Sequence, residues 1–241
     1  HREWKGLGPS RNVVVNNANG KYIVWVDGDM ILPKDHVRKQ VEFMEHDSNV
    51  AIAGGSFGMW PQGSLVAILD NLVYVTYRLK YGKKSSSPPG SGGAIYRVEA
   101  ITQVGGFDQD ITGSGEDIDV AYRVKSAGWL VVRDKAPIYG RFKETWNELW
   151  NQYLWHGYGA HYNTHKNKGI ISLPKMSPPI VFFAGIMNSV IAYKLIQRKI
   201  AFLLPFHLIF KNIAWWLGFF KSHLKGYGHK YSHRFDNSHW K

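Results

Sequence analysis

The sequence predicts an α/β protein, with a mixed but mostly parallel sheet and flanking helices, followed by apolar C-terminal helices. Short runs rich in Val, Ile and Tyr alternate with helix-patterned stretches over roughly the first 140 residues, as βα layer architectures require. Gly and Pro punctuate most of those runs. The two most apolar stretches, "PPIVFFAGIMNSVIAYKLI" and "IAFLLPFHLIFKNIAWWLGFF", both fall after residue 177. A chain of 241 residues with 44% hydrophobic content is long enough for one large domain, or for one domain and an appendage.

Residues 21–26, "KYIVWV", read as a buried strand. In "PKDHVRKQVEFMEHD", Pro33 sits at a helix-opening position and Val37, Val41 and Met44 share a helical face. "NVAIAGG" reads as a second strand closed by its glycines. Residues 63–80 place Leu65, Leu69, Leu72, Val73 and Leu79 near one side of a long helix. The loop "KKSSSPPGSGG" is expected to be mobile or ligand-gated. After it come a strand, "AIYRV", and a short helix ending at Gly105 and Gly106. A helix with acidic residues in its first turn follows, "GEDIDVAYRVKSAGW", and then a last strand, "LVVRDKAPIYGRF".

From residue 143 to 165 the pattern is helical and aromatic, with Trp146, Trp150, Tyr153, Trp155, Tyr158 and Tyr162, which suits a water–lipid boundary. The expected organisation is a catalytic segment over 1–142, an aromatic interfacial helix and linker over 143–175, and membrane-associated helices with a basic tail over 176–241. Charge divides the same way. Residues 1–160 carry 18 Lys and Arg against 17 Asp and Glu, whereas residues 161–241 carry 12 against 1. Basic residues flanking apolar segments point to an anionic membrane surface and not to nucleic acid. The first apolar stretch is close to the ~20 residues that cross a bilayer. The second is interrupted by Pro205, His207, Lys211 and Asn212, so that spanning and interfacial helices both fit.

The absence of cysteine excludes disulfides and thiolate zinc sites, and fits a reducing compartment. His161 and His165 lie four apart, a metal-binding spacing, but no Glu or third His sits at ligand spacing within that stretch, which favours packing. His229, His233 and His239 belong to a Gly-rich basic tail that is expected to be flexible or membrane-apposed.

Two acidic groups carry chemistry. In "YIVWVDGDMILP", Asp27 and Asp29 flank Gly28 at a strand's end, and in extended chain both carboxylates would share a face. Hard oxygen ligands suit Mg²⁺ or Mn²⁺ with a diphosphate. The competing reading is an Asp-Gly hairpin, which needs a return strand that "DMIL" before Pro33 does not supply. Glu116, Asp117 and Asp119 open a helix, where they serve as dipole partners and caps or place a general base.

Taken with "GPSRNVVVNNANGKYIVWVDGD" and "GSGGAIYRVEAITQVGGFD", "GEDIDVAYRVKSAGW" resembles the family 2 nucleotide-sugar glycosyltransferases, which have the GT-A, Rossmann-like fold. The resemblance covers roughly residues 6–165. It implies an inverting, metal-dependent transfer of a hexosyl or N-acetylhexosaminyl group from a nucleoside-diphosphate sugar. The apolar segments, and no motif, point to a lipid-linked or surface-glycan acceptor, and the lack of the processive Gln-x-x-Arg-Trp pattern points to addition of a single sugar. Asp29 would ligate Mn²⁺ or Mg²⁺, with Asp27 beside it on the metal and the donor. Asp117 would be the base and Glu116 would position the acceptor. Arg11, Asn12, Gly92, Gly93 and Ala94 match donor-binding segments. With the apolar helices, this implies a membrane-associated enzyme whose catalytic domain is cytoplasmic.

The sequence departs from the family in three places. Many relatives carry a His where "IYGRF" offers Tyr139 and Arg141, and Gln152–Tyr–Leu–Trp155–His156 does not match the processive Gln-x-x-Arg-Trp pattern. The strands that hold the nucleotide base in relatives do not precede "GLGPSRN". A longer natural chain or a partner chain is therefore expected to complete the nucleotide site, and nothing at His1 reads as a signal peptide. A sugar nucleotidyltransferase and a non-catalytic membrane-bound scaffold are the competing functional classes.

Overall fold

The computed structural model describes residues 5–60, 62–81, 88–111 and 113–226. Residues 82–87 of the Ser/Pro/Gly loop and the tail carrying His229, His233 and His239 lie outside them. In order, the elements are α1 (Leu7–Asn17), β1 (Tyr22–Val24), β2 (Met30–Ile31), α2 (His36–His46), β3 (Val50–Phe57), α3 (Leu65–Tyr81), β4 (Ala94–Arg97), α4 (Val98–Gln103), α5 (Glu116–Ser126), β5 (Leu130–Gly140), α6 (Trp146–Lys166), α7 (Pro178–Ile196) and α8 (Leu204–Leu224). They form two compact units. One comprises His1–Gly58 with Tyr81–Gly140, the other Met59–Lys80 with Arg141–Lys241. The helix at 65–81, grouped with the first 142 residues on sequence, thus packs almost entirely in the second unit.

The first unit is a mixed sheet of order β1-β4-β3-β5-β2. Its β3 is buried along nearly its whole length, which is why its sequence is continuously apolar and does not alternate. Helices cover both faces. On one, Ile52, Tyr96 and Ile23 pack with Val15 of α1, Ile101 of α4 and Val120 of α5; on the other, Ala53 and Ile95 pack with Met44 of α2. Of the four described pairings only β3–β5 is parallel, where mostly parallel pairing was expected. The cause is that α3 belongs to the other unit. The chain between β3 and β4 is not a crossover helix packed on this sheet, and β4 returns antiparallel to β3.

Two local expectations change with the packing. The buried face of α2 is His36, Gln40 and Met44, while Val37 is exposed, because His36 and Gln40 reach backbone oxygens of the sheet. Gln40 Nε2 donates to the Gly93 carbonyl at 2.8 Å, and the His36 ring nitrogens lie 3.1 Å from Pro137 O and 3.2 Å from Gly93 O. The glycines of "AIAGG" lie within β3 and do not close it. A Cβ on Gly54 would lie 2.1 Å from the Pro89 side chain, so the residue is needed for close approach.

In the second unit, α6 opens on a capping box in which the Thr145 hydroxyl accepts from Glu148 N–H and the Glu148 carboxylate accepts from Thr145 N–H. Helices α6 and α8 are in backbone contact. A Cβ on Gly157 would lie 1.8 Å from Trp215 O, and one on Gly218 1.9 Å from Leu154 O. In α3, Leu69 and Leu72 are buried while Leu65 and Leu79 face outward.

The distribution of polarity in α7 and α8 is inverted relative to a water-soluble bundle. In α7 the buried positions are Gly185, Ser189 and Ala192, and Phe183 and Met187 face out. In α8 the residues that interrupt its apolar sequence, Pro205, His207, Lys211 and Asn212, are all buried, while Phe206, Leu217 and Phe220 are exposed. Both α7 and the segment Lys199–Leu224 are long and apolar enough to cross a membrane.

Candidate active site

Where β1 ends, the first unit brings Asp27 and Asp29 near Glu116 and Asp117 of α5. Pairing with β4 continues one residue past the strand, with Trp25 N–H donating to Ala94 O at 3.0 Å and Gly93 N–H to Trp25 O at 2.8 Å. The chain then turns, and Met30 N–H donates to Asp27 O at 3.0 Å. A β-turn around Gly28, and not an extended strand, therefore sets the two aspartates. It is not a hairpin turn, because β1 and β2 lie at opposite edges of the sheet.

Residues 90–94 run alongside this turn. A Cβ on Gly92 would lie 2.7 Å from Asp27 Oδ2 and 2.8 Å from Met30 Sδ, so only glycine lets the backbone approach this carboxylate. Gly93 has φ +69°, and a Cβ there would meet the Ile138 side chain at 2.5 Å. One residue earlier, Ser91 N–H donates to Asp117 Oδ2 at 3.0 Å, while Asp117 Oδ1 accepts from Ile118 N–H at 2.8 Å. Asp117 is thereby oriented through both oxygens at the start of α5.

Arg11, on α1, completes the cluster. Its guanidinium donates to the Glu116 carboxylate and, at 2.6 Å, to Ser91 Oγ, and it lies 5.4 Å and 5.5 Å from the Trp25 and Phe107 ring centroids. Asn12 does something different. Its amide nitrogen donates to Phe107 O at 2.8 Å and its oxygen accepts from Phe107 N–H at 2.7 Å, so it holds the turn after Gly106. Ala94 is fully buried in the sheet core. Tyr139 pairs with Ile31 and lays its ring against Gly58. Ser91 and Trp25 were not singled out on sequence. The only local signal for Ser91 is its place in "GSGG".

The electrostatics follow from crowding. Partial desolvation, and then Asp29 and Asp117, hold the Asp27 carboxyl above its usual range, while Arg11 acts against them. Burial, followed by the Asp117 charge, pushes Glu116 up to about 7 despite Arg11. A carboxyl raised from 4.5 to about 7 contributes stability that is fully present below 4.5 and is lost as pH rises through 7. The midpoint of thermal unfolding is therefore expected to decrease as pH rises from 4.5 to about 7. Glu116→Gln should flatten that slope in a melting series across pH; an unchanged slope would assign it to other groups.

The donor set fits a divalent cation. Asp27 and Asp29 are two carboxylates on an exposed turn, hard oxygen ligands with Asp117 close enough to act on Asp27, so that negative charge accumulates where a cation would sit.

Comparison with known proteins gives the family and the fold. Among curated proteins there is no significant match. Among solved structures, the fold is similar to that of a mannosyltransferase from Pyrobaculum calidifontis, described in complex with GDP-Man and Mn²⁺. The TM-score is 0.57 and the identity 13%, with 92% of this chain and 68% of that one covered. Staphylococcus aureus TarS 1–349 in complex with UDP matches over 96% of this chain and 74% of its own at 15% identity, with a TM-score of 0.38, too low to argue from. The family model described as glycosyl transferase family group 2 matches residues 22–224. That span takes in the Asp27 turn, the glycine segment and the acidic start of α5 as well as the apolar helices, and the chain belongs to the family 2 glycosyltransferases, with a GT-A fold.

Proposed function

We propose that the protein transfers a single sugar, with inversion, from a nucleoside-diphosphate sugar to a lipid-linked or glycan acceptor at a membrane. One observation carries the reading. The backbone of residues 90–94 touches both carboxylate centres, with Gly92 against Asp27 and Ser91 N–H on Asp117, so that a ligand lying over this segment meets both.

Asp29 and Asp27 would hold Mn²⁺ or Mg²⁺, which when bound stabilises negative charge on a diphosphate leaving group. The Mn²⁺ and GDP-Man named for the Pyrobaculum structure support the use of a divalent metal and a nucleotide-sugar donor. Asp117 accepts the proton of the acceptor hydroxyl as its oxygen bonds to the anomeric carbon and the carbon–diphosphate bond breaks on the opposite side. The two backbone N–H groups on Asp117 keep its carboxylate aimed while leaving acceptor lone pairs available.

Glu116 positions the acceptor side through Arg11 and Ser91. Gly92 contacts the donor by backbone. Asn12, Gly93 and Ala94 act on the donor indirectly, by fixing the Phe107 turn and the sheet beneath. The inverted polarity of α7 and α8 supports the membrane location, because large apolar side chains facing outward are stable in lipid. With the basic C-terminal third, it supports a catalytic unit on the cytoplasmic side, where anionic lipids lie.

Nucleoside diphosphates, screened with Mn²⁺ for thermal stabilisation, test the donor reading. A true ligand at 100 times its Kd raises stability by about 2.7 kcal/mol. The shift should vanish with EDTA. A shift that is equal with and without metal would refute the assignment of Asp27 and Asp29.

A further inference from the structure

Helices α6 and α8 run side by side in the same direction, held in backbone contact by Gly157 and Gly218. One turn beyond those glycines lie His161 and Ser222, and this places a third histidine, His223, against the pair His161 and His165. The sequence alone did not reveal it, because no third ligand lies within α6. We propose that His161, His165 and His223 form a zinc-binding site that clamps the C-terminal ends of α6 and α8, separate from the carboxylate pair of the first unit.

The distances carry the proposal. His161 Nε2 lies 3.0 Å from His165 Nε2 and 3.2 Å from His223 Nδ1, and the three ligand nitrogens all fall within 4.8 Å of one another. A tetrahedral Zn²⁺ with nitrogens at ~2.0–2.1 Å sets them ~3.3–3.4 Å apart. The two short edges lie within a few tenths of an ångström of that spacing, and the third, between the exposed rings of His165 and His223, lies within 4.8 Å and closes by rotation of those side chains.

Ser222 supplies an outer partner that would hold the metal-binding tautomer of His161. His161 is fully buried, and its Nδ1 lies 3.2 Å from the hydroxyl of buried Ser222. An Nδ1–H donated to Ser222 Oγ leaves the Nε2 lone pair aimed at the other two rings, the outer-partner arrangement that metal-binding histidines use. Buried His161 forms the floor of the site, while exposed His165 and His223 leave an entry path and a fourth position for water. Imidazole is a preferred ligand of zinc, and three of them with an open position is a known zinc set. Two helix C-termini add the negative ends of their dipoles, against the charges of nearby Lys166 and Lys221.

The test uses the untagged full chain with Asp27→Asn and Asp29→Asn, so that the carboxylate pair does not contribute. After treatment with EDTA the protein is titrated with Zn²⁺ in competition with a chromophoric chelator. One Zn²⁺ per chain is expected, with a rise in melting temperature. Each of His161→Gln, His165→Gln and His223→Gln should weaken binding at least ~100-fold, and Ser222→Ala, which keeps all three rings, ~10–100-fold. His156→Gln on the same helix should change nothing. Helical circular dichroism checks that each variant folds, and Ser222→Ala carries the test where an imidazole variant does not fold. Absence of zinc binding at micromolar concentration, equal affinity in the variants, or loss only when His229, His233 and His239 are replaced by Ala would overturn the proposal.

Discussion

Asp117→Asn is expected to lower sugar transfer ~10²–10⁴-fold in kcat, the range lost with a general base, while leaving the fold and metal-dependent nucleotide binding in place. The amide keeps the size of the carboxylate but offers a single oxygen, so it can accept from Ser91 N–H or from Ile118 N–H and not from both; one hydrogen bond at the start of α5 is lost while the helix and the sheet beneath it keep their packing. What it loses is the capacity to take a proton. Asp29→Ala should instead remove the metal-dependent part of nucleotide binding together with transfer. The two variants thus separate binding from proton transfer. Steady-state kinetics and nucleotide-induced melting shifts read them apart, and full transfer by Asp117→Asn would sink its assignment as the base.

Lys211→Met is expected to destabilise the helical unit by ~3–5 kcal/mol, the cost of leaving a buried carboxylate without its cation. Lys211 Nζ donates to Asp70 Oδ1 with both side chains about 4% exposed, and His207 Nε2 lies 3.3 Å from the same oxygen. Burial pushes the Asp70 carboxyl up, but Lys211 and His207 outweigh it and hold it down from 3.8 to about 2.

The sign is that of a depressed acid. Its contribution is present above pH 4 and lost as pH falls towards 2. In Lys211→Met the cation is gone and burial dominates, so the variant should gain stability on acidification where the wild type loses it. Replacing both partners, Asp70→Leu with Lys211→Met, should recover most of the loss, since paired removal leaves no buried charge. Detergent-solubilised protein followed by circular dichroism across pH measures all three. A double variant as unstable as the single would show that the pair is not the cause.

At the Asp27–Gly28–Asp29 turn the sequence carries the residue types of the candidate site but not their geometry. Two aspartates around a glycine, an acidic helix start about ninety residues later and a glycine segment between them were visible as types and spacings. Rejection of the hairpin also held, since β1 and β2 lie at opposite edges of the sheet. The β-turn replaced the extended geometry that had been expected to pair the carboxylates. Asn12 was legible as part of a pattern, but its bonds go to the backbone of Phe107, a partner that no spacing reveals.

The buried face of α2 was misjudged for a related reason. Periodicity ranks Val37 above His36, yet the face is chosen by which side chains find partners across the sheet, and His36 and Gln40 find carbonyl oxygens there. Similarly, Pro205, His207, Lys211 and Asn212 read as flaws in an apolar helix. In the fold they are its interior, because Asp70 and the backbone of Met176 are available inside and not outside.

By itself the sequence determined the order of elements from β1 onward except the two-residue β2, the acidic residue types of the candidate site, the apolar and basic character of the last third, and the family, while α1 and β2 carried no periodic signal. Those properties are local, written in periods of two to four residues and in short spacings. Only the tertiary structure decided the directions of the strands, the inward side of α8, the segment shared by Asp27 and Asp117, and the meeting of His223 with His161 and His165. Each of these depends on backbones approaching closely at Gly54, Gly92, Gly157 or Gly218, or on polar groups far apart in sequence satisfying one another away from water.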